Sequence, residues 1–313
     1  MSQEKMILIA GPTASGKSAF ALDLARRHDG VIINADAMQV YEGLPVLTAQ
    51  PSAEDRMSSP HELYGCINPE ENFSAGKWVT RAHESIRRTL RDKRLPIVVG
   101  GTGLYFRALL GGLAEIPPIP DQVRDDAQNL YDDIGEEKFR AALRKLDPLT
   151  AEKLARNDRQ RLIRAYEVAK HTGKALGEWH ALSASKVKFP SRLREGNDAK
   201  GVMGVGGELA VSGTLTIEPH LILPPRDQLY AACDKRFTYM IEQGAVDEVR
   251  AFLQRGLNPI LPAMKTIGVR EIGAYLAGAW TLDEAITKAQ QMTRNYAKRQ
   301  LTWFRNQKLI PEG

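Results

Sequence analysis

Short blocks of consecutive apolar residues mark the N-terminal third of the chain. Met6–Ala10, Val31–Ile33 and Leu95–Val99 are apolar without alternation, the pattern of strands buried on both faces of a sheet. The first block runs into Gly11–Ser18 and then into Ala19, Phe20, Leu22, Leu24 and Ala25, a helix free of Gly and Pro until Gly30. Ahead of the third block, Ala75, Trp78, Val79, Ala82, Ile86 and Leu90 recur at helical spacing, with Arg81, Glu84, Arg87 and Arg88 outside. That spacing predicts a helix over 74–90. Residues 40–60, punctuated by Pro45, Pro51 and Pro60, read as loop. Strands alternating with helices predict an α/β fold, a parallel sheet flanked by helices, with ligands at the carboxyl ends of the strands.

The texture changes at Ile116-Pro-Pro-Ile-Pro120. Helical pattern without strands is expected over 123–133, 136–146, 150–154 and 159–171, the last capped by Asn157-Asp158. Residues 183–219 hold Gly196, Gly201, Gly204, Gly206, Gly207 and Gly213, and a flexible loop with room for a small hairpin is expected there. A strand returns at His220–Leu223, followed by helices over 228–243, 246–255 and about 282–307. The expected division is therefore a core of 1–118 and 215–313 around an all-helical insertion of 119–214.

Composition narrows the class. A chain of 313 residues, 43% hydrophobic and 26% charged, reads as a soluble globular protein. A net charge of +5 leans modestly toward a polyanionic partner. Cys66 and Cys233 stand alone, so neither a disulfide framework nor a zinc site is suggested. No apolar run is long enough for a signal peptide or a membrane span, and a cytoplasmic enzyme is expected.

The candidate chemistry begins at Gly11-Pro-Thr13-Ala14-Ser15-Gly16-Lys17-Ser18, which fits the phosphate-loop pattern between a strand and a helix. Glycines let successive amides turn inward at the positive end of the helix dipole. Lys17 adds a point charge, and Ser18 offers a hydroxyl to Mg2+. The Val31–Ile33 block ends near Asp36, and Leu95–Val99 ends in Gly100-Gly101-Thr102. Asp36 is thus the one carboxylate placed beside the phosphate site. It can serve as a magnesium ligand or base in a kinase, or as a general base toward a second substrate. Thr102 can set a hydroxyl on a phosphate or a nucleophile, and Arg236 can clamp a diphosphate. Arg159, Arg161 and Arg164 form one basic face. The terminal helix forms another, with no acidic residue between Ala285 and Pro311. Interleaved with Tyr166, Tyr296, Trp303 and Phe304, these faces suit nucleic acid.

Five blocks in series are highly specific: Gly11–Ser18, Asp36 with Met38-Gln39-Val40-Tyr41, Val99–Thr102, Asp234-Lys-Arg-Phe237 and Tyr296-Ala-Lys-Arg-Gln-Leu-Thr-Trp303. With Asn157-Asp158-Arg-Gln160-Arg161 in the insertion, the chain resembles the bacterial tRNA dimethylallyltransferase (tRNA isopentenyltransferase) family over nearly its whole length. The resemblance implies a P-loop kinase-like core that moves a dimethylallyl group from dimethylallyl diphosphate to the exocyclic amine of the adenosine 3′-adjacent to the anticodon. It further implies that Gly11, Thr13–Ser18 and Arg236 hold the diphosphate with Mg2+ on Ser18. Asp36 would take the proton and Thr102 would orient the reactants. By the same resemblance Asp36, Ala37, Met38, Gln39, Thr102, Arg124, Gln160, Arg161, Leu162, Ile163, Arg164, Thr293, Arg294, Lys298, Arg299 and Gln300 would meet the tRNA anticodon stem-loop. A monomer is expected. The chain departs from the family pattern at Ala37, Gln50 and Val269, where Ser, Lys and Tyr are usual. A P-loop kinase of a nucleotide or small metabolite is the alternative.

Overall fold

A computed structural model describes residues 4–111, 113–114, 116–184, 201–202 and 215–306. The chain folds into two compact units, Met1–Leu110 with Phe189–Gly313, and Gly111–Lys188.

The first unit is built on a sheet of strands β1 (Lys5–Ala10), β2 (Gly30–Asn34), β3 (His61–Glu62), β4 (Leu95–Gly100), β5 (Gly201–Val202) and β6 (Thr216–Leu221). Their order is β3-β2-β4-β1-β6-β5; β5 alone runs antiparallel, against β6. The other five strands are parallel, as the apolar blocks predict. The period of two in a strand assigns the faces. Met6, Leu8, Val31, Ile33, Val98 and Ile217 enter one core; Ile7, Ile9, Ile32, Ile97 and Val99 enter another, with Ala21 and Ala25 of α1 (Lys17–His28). The larger core also takes in Trp78 and Ile86 of α3 (Ala75–Arg91) and Tyr105, Phe106 and Leu109 of α4 (Gly103–Gly111). A helical layer completes this side. It comprises α9 (Arg226–Glu242), α10 (Ala245–Leu253), a 3-10 turn (Ala263–Lys265), α11 (Val269–Leu276) and α12 (Leu282–Asn306).

The second unit holds α5 (Asp121–Arg144), α6 (Pro148–Lys153), α7 (Arg159–Thr172) and α8 (Leu176–Ala184). Gly135, at φ 74° and ψ 169°, breaks α5 in two, which accounts for the two helices read from the sequence. Phe139 is fully buried, in ring contact with Tyr131 and Tyr166. Asp147 caps α6 and Asp158 caps α7.

Three expectations change. The segment read as loop over 40–60 contains α2 (Ala53–Ser58), started by a reciprocal Ser52–Asp55 capping box. β6 begins at Thr216, not His220, because its ladder with β1 pairs Lys5 with Thr216 and runs to Ala10 with Leu221. Helices α4 and α11 add to those that the apolar spacing predicts. The glycine-rich segment expected over 183–219 falls mostly outside the described residues.

Candidate active site

Neighbouring strands β1 and β4 end in register, Ala10 opposite Gly100, and Asn34 of β2 lies opposite Val99. Three loops therefore leave the sheet side by side. Close approach sets the residue choice. A Cβ on Gly100 would lie 2.1 Å from the Ala35 carbonyl oxygen, and one on Gly11 2.6 Å from that of Ile222. Gly16, at φ +86°, caps α1 in the left-handed region that glycine tolerates.

Lys17 is buried, and its Nζ donates to the Pro12 carbonyl at 3.1 Å. Burial lowers its pKa to about 8; Asp36 nearby favours the charged form and Arg236 opposes it. Arg236, on α9, donates to the Thr13 hydroxyl. Its own pKa is lowered, first by burial, while Cys233 and Asp36 act the other way. Cys233 and Leu229 of α9 form a cluster with Ala297 and Leu301 of α12, and Ala14 packs on it. Both helices are thereby set against the phosphate loop.

Asn34 organises the β2 end. It is fully buried, accepts from the Asp36 N–H at 2.8 Å, and donates to the Asp36 and Leu63 carbonyls at 3.0 Å each. Its main-chain carbonyl accepts from Trp78 Nε1 at 2.8 Å. Trp78 in turn stacks on Tyr105, with ring centroids 4.3 Å apart. Asp36 Oδ1 accepts from the Met38 N–H at 3.0 Å, which orients the carboxylate while engaging one of its oxygens. The Thr102 hydroxyl accepts from the Ala37 N–H at 2.9 Å, tying the β2 end to the β4 end. Asp36, Thr102, Lys17 and Arg236 thus converge, as the sequence suggests.

Other expected contacts divide by exposure. Lys298 and Arg299 are exposed and border an open groove of about 520 Å³ with Asn295, Thr302, Trp303 and Asn306. Thr293 is buried and donates to the Ala289 carbonyl, and Arg294 pairs with Asp234 at 2.5 Å. Gln39 donates to the Thr48 and Ala49 carbonyls, and Met38 packs half-buried on the large core. In the second unit, Gln160 and Arg161 are exposed, whereas Leu162 and Ile163 lie in its core. Arg124 and Arg164 share the buried Glu167, at 3.7 and 2.5 Å. Gln300 is buried rather than outward-facing. Its Oε1 accepts from the Thr13 N–H at 2.8 Å, and its Nε2 donates to the Gly101 carbonyl at 2.9 Å. Sequence reasoning missed the parts played by Asn34 and Trp78. A lone asparagine ending an otherwise apolar strand was the available signal.

Ser18 is exposed at the start of α1 and lines a cavity of about 240 Å³ with Gln50, Asp55, His61 and Tyr64 among its walls. Ser15 Oγ is buried with no hydrogen-bond partner. Among the described residues no three His, Cys, Asp or Glu side chains gather as a metal site. Free hydroxyls without a carboxylate cage fit a magnesium ion that draws most of its ligands from water and a diphosphate.

Comparison with known proteins agrees with this geometry. The profile of the IPP transferase family matches residues 39–307, and that of isopentenyl transferase matches residues 4–69. The chain is 48% identical over 308 residues to a tRNA dimethylallyltransferase of Caulobacter sp. (strain K31), covering 98% of this chain and 91% of that one. It is 48% identical over 302 residues to one from Rhodospirillum centenum, covering 96% and 88%. Among solved structures, a tRNA isopentenylpyrophosphate transferase from Bacillus halodurans aligns with a TM-score of 0.62 at 32% identity, covering 97% and 88%. A eukaryotic dimethylallyltransferase acting on tRNA aligns with a TM-score of 0.75 at 25% identity, covering 96% and 70%.

Proposed function

The chain belongs to the IPP transferase family and is a tRNA dimethylallyltransferase by its relatives, and we propose that its donor is dimethylallyl diphosphate and its acceptor the exocyclic amine of the adenosine 3′-adjacent to the anticodon. The observation that carries this reading is the convergence of one carboxylate, Asp36, and one hydroxyl, Thr102, on a phosphate loop flanked by Lys17 and Arg236. A diphosphate leaves with the electron pair of the breaking C–O bond only when its charge is neutralised. Loop amides, the buried Lys17 and the half-buried Arg236 are preorganised to do that. Magnesium, when bound through Ser18, would add Lewis-acid charge to the same leaving group. The amine lone pair forms the new C–N bond, and the amine proton passes to Asp36, a general base in reach of the acceptor. Thr102, held by the Ala37 N–H, orients the reacting groups.

An adenine amine within a stacked loop is out of reach, so the base must be extruded and its stem held by its backbone. Arg161 with Gln160 on the second unit, and Lys298 with Arg299 on α12, are the exposed groups proposed for this grip. Incubation with labelled dimethylallyl diphosphate, magnesium and bulk tRNA tests the reading. Label is expected in tRNA. Label entering free AMP, or phosphate moving from ATP, would overturn it.

A further inference from the structure

Helix α12 carries the exposed Lys298 and Arg299 on its outside and the buried Gln300 on its inside. A side-chain amide in a buried place must satisfy its polar atoms. Gln300 does so by spanning two loops, with Oε1 on the Thr13 N–H at 2.8 Å and Nε2 on the Gly101 carbonyl at 2.9 Å. Those groups follow β1 and β4, the adjacent strands that bound the site. Gly101 is shaped to this contact, since a Cβ there would lie 2.3 Å from Gln300 Nε2.

We propose that Gln300 is a positioning residue, whose amide holds the phosphate loop in register with the β4 end. This rests on the geometry of the two loops alone. One helix then both faces the RNA and sets the geometry of the donor site.

The test is titration with inorganic diphosphate and magnesium in the absence of tRNA. Gln300→Met preserves volume and should weaken inorganic diphosphate binding about tenfold. If that variant does not fold, Gly101→Ala, which displaces the same amide, should show the same loss. Unchanged diphosphate affinity in the folded variant would overturn the proposal. A wild-type protein that binds diphosphate yet leaves tRNA unlabelled would instead remove the reaction reading.

Discussion

If Lys17 holds the donor diphosphate as proposed, transfer should be sensitive to alkali. The lysine ammonium is buried, and burial brings its pKa down to about 8. At pH 7 roughly nine-tenths of the free protein would carry the charge, and at pH 9 roughly one-tenth, since each pH unit is a factor of ten beyond the pKa. A neutral amine gives the departing diphosphate no charge to lean on. Between pH 7 and 9, kcat/KM for dimethylallyl diphosphate should therefore fall about tenfold, because that ratio reports the free enzyme. In kcat the limb should lie at higher pH, because bound diphosphate favours the ammonium. The assay is initial-rate label transfer at saturating tRNA and constant ionic strength. Lys17→Arg, whose guanidinium keeps its charge throughout this range, should lose the limb even where its overall rate is lower. A wild-type profile flat to pH 9.5 would refute the assignment. Stability should move the opposite way. A lysine with a depressed native pKa binds its proton more tightly when unfolded, so its contribution improves as pH rises from about 8 toward 10.5.

Asp36→Asn should lower kcat by about 10²-fold or more while tRNA affinity is retained, measured by single-turnover transfer and filter binding. Gly100→Ala should cost at least about 2 kcal/mol in denaturant unfolding, because the added methyl meets backbone, the Ala35 carbonyl, at 2.1 Å. Arg161→Ala with Lys298→Ala should weaken tRNA binding and flatten log affinity against log salt by about 0.7 to 0.9 for each RNA phosphate left without its cation. Donor binding should stay unchanged in that variant, and an unaltered salt slope would remove these side chains from the RNA contact.

The sheet was legible because strand burial is written locally. Runs such as Met6–Ala10 admit few other readings, and their odd and even residues divide between the two cores as period two requires. The phosphate loop was legible for the same reason, as a local pattern in a local context. Gln300 was not. Its partners lie 287 and 199 residues away in sequence, and on a helix rich in Lys and Arg it reads as one more polar residue for RNA. Thr293 and Arg294 show the same limit, since a buried hydroxyl and an ion pair with Asp234 are fixed by tertiary packing alone. The start of β6 escaped sequence reading because its first residues, Thr216 to Pro219, gain strand form from pairing with β1 rather than from apolar content.

The charge balance at the site joins these features. Lys17 is buried and Arg236 half-buried, desolvation lowers the pKa of each, and both sense Asp36 as a nearby carboxylate. Two desolvated cations sharing one nearby carboxylate leave a local excess of positive charge, which is unfavourable in an empty site. Arg236 is held by a neutral hydroxyl, that of Thr13, and Lys17 by a neutral carbonyl, that of Pro12. Neither partner cancels charge, so the cations stay available to an anion. On the proposed reading a diphosphate entering the loop would relieve the excess. During transfer its negative charge would grow as the C–O bond breaks, so the same cations would interact more strongly with the transition state than with the bound donor. The proposed proton acceptor, Asp36, lies beside them. Its turn through Asn34 and Met38 fixes it by backbone hydrogen bonds, so its position does not depend on a salt bridge to either cation. On that reading the carboxylate would take the amine proton while the two cations remain with the leaving group.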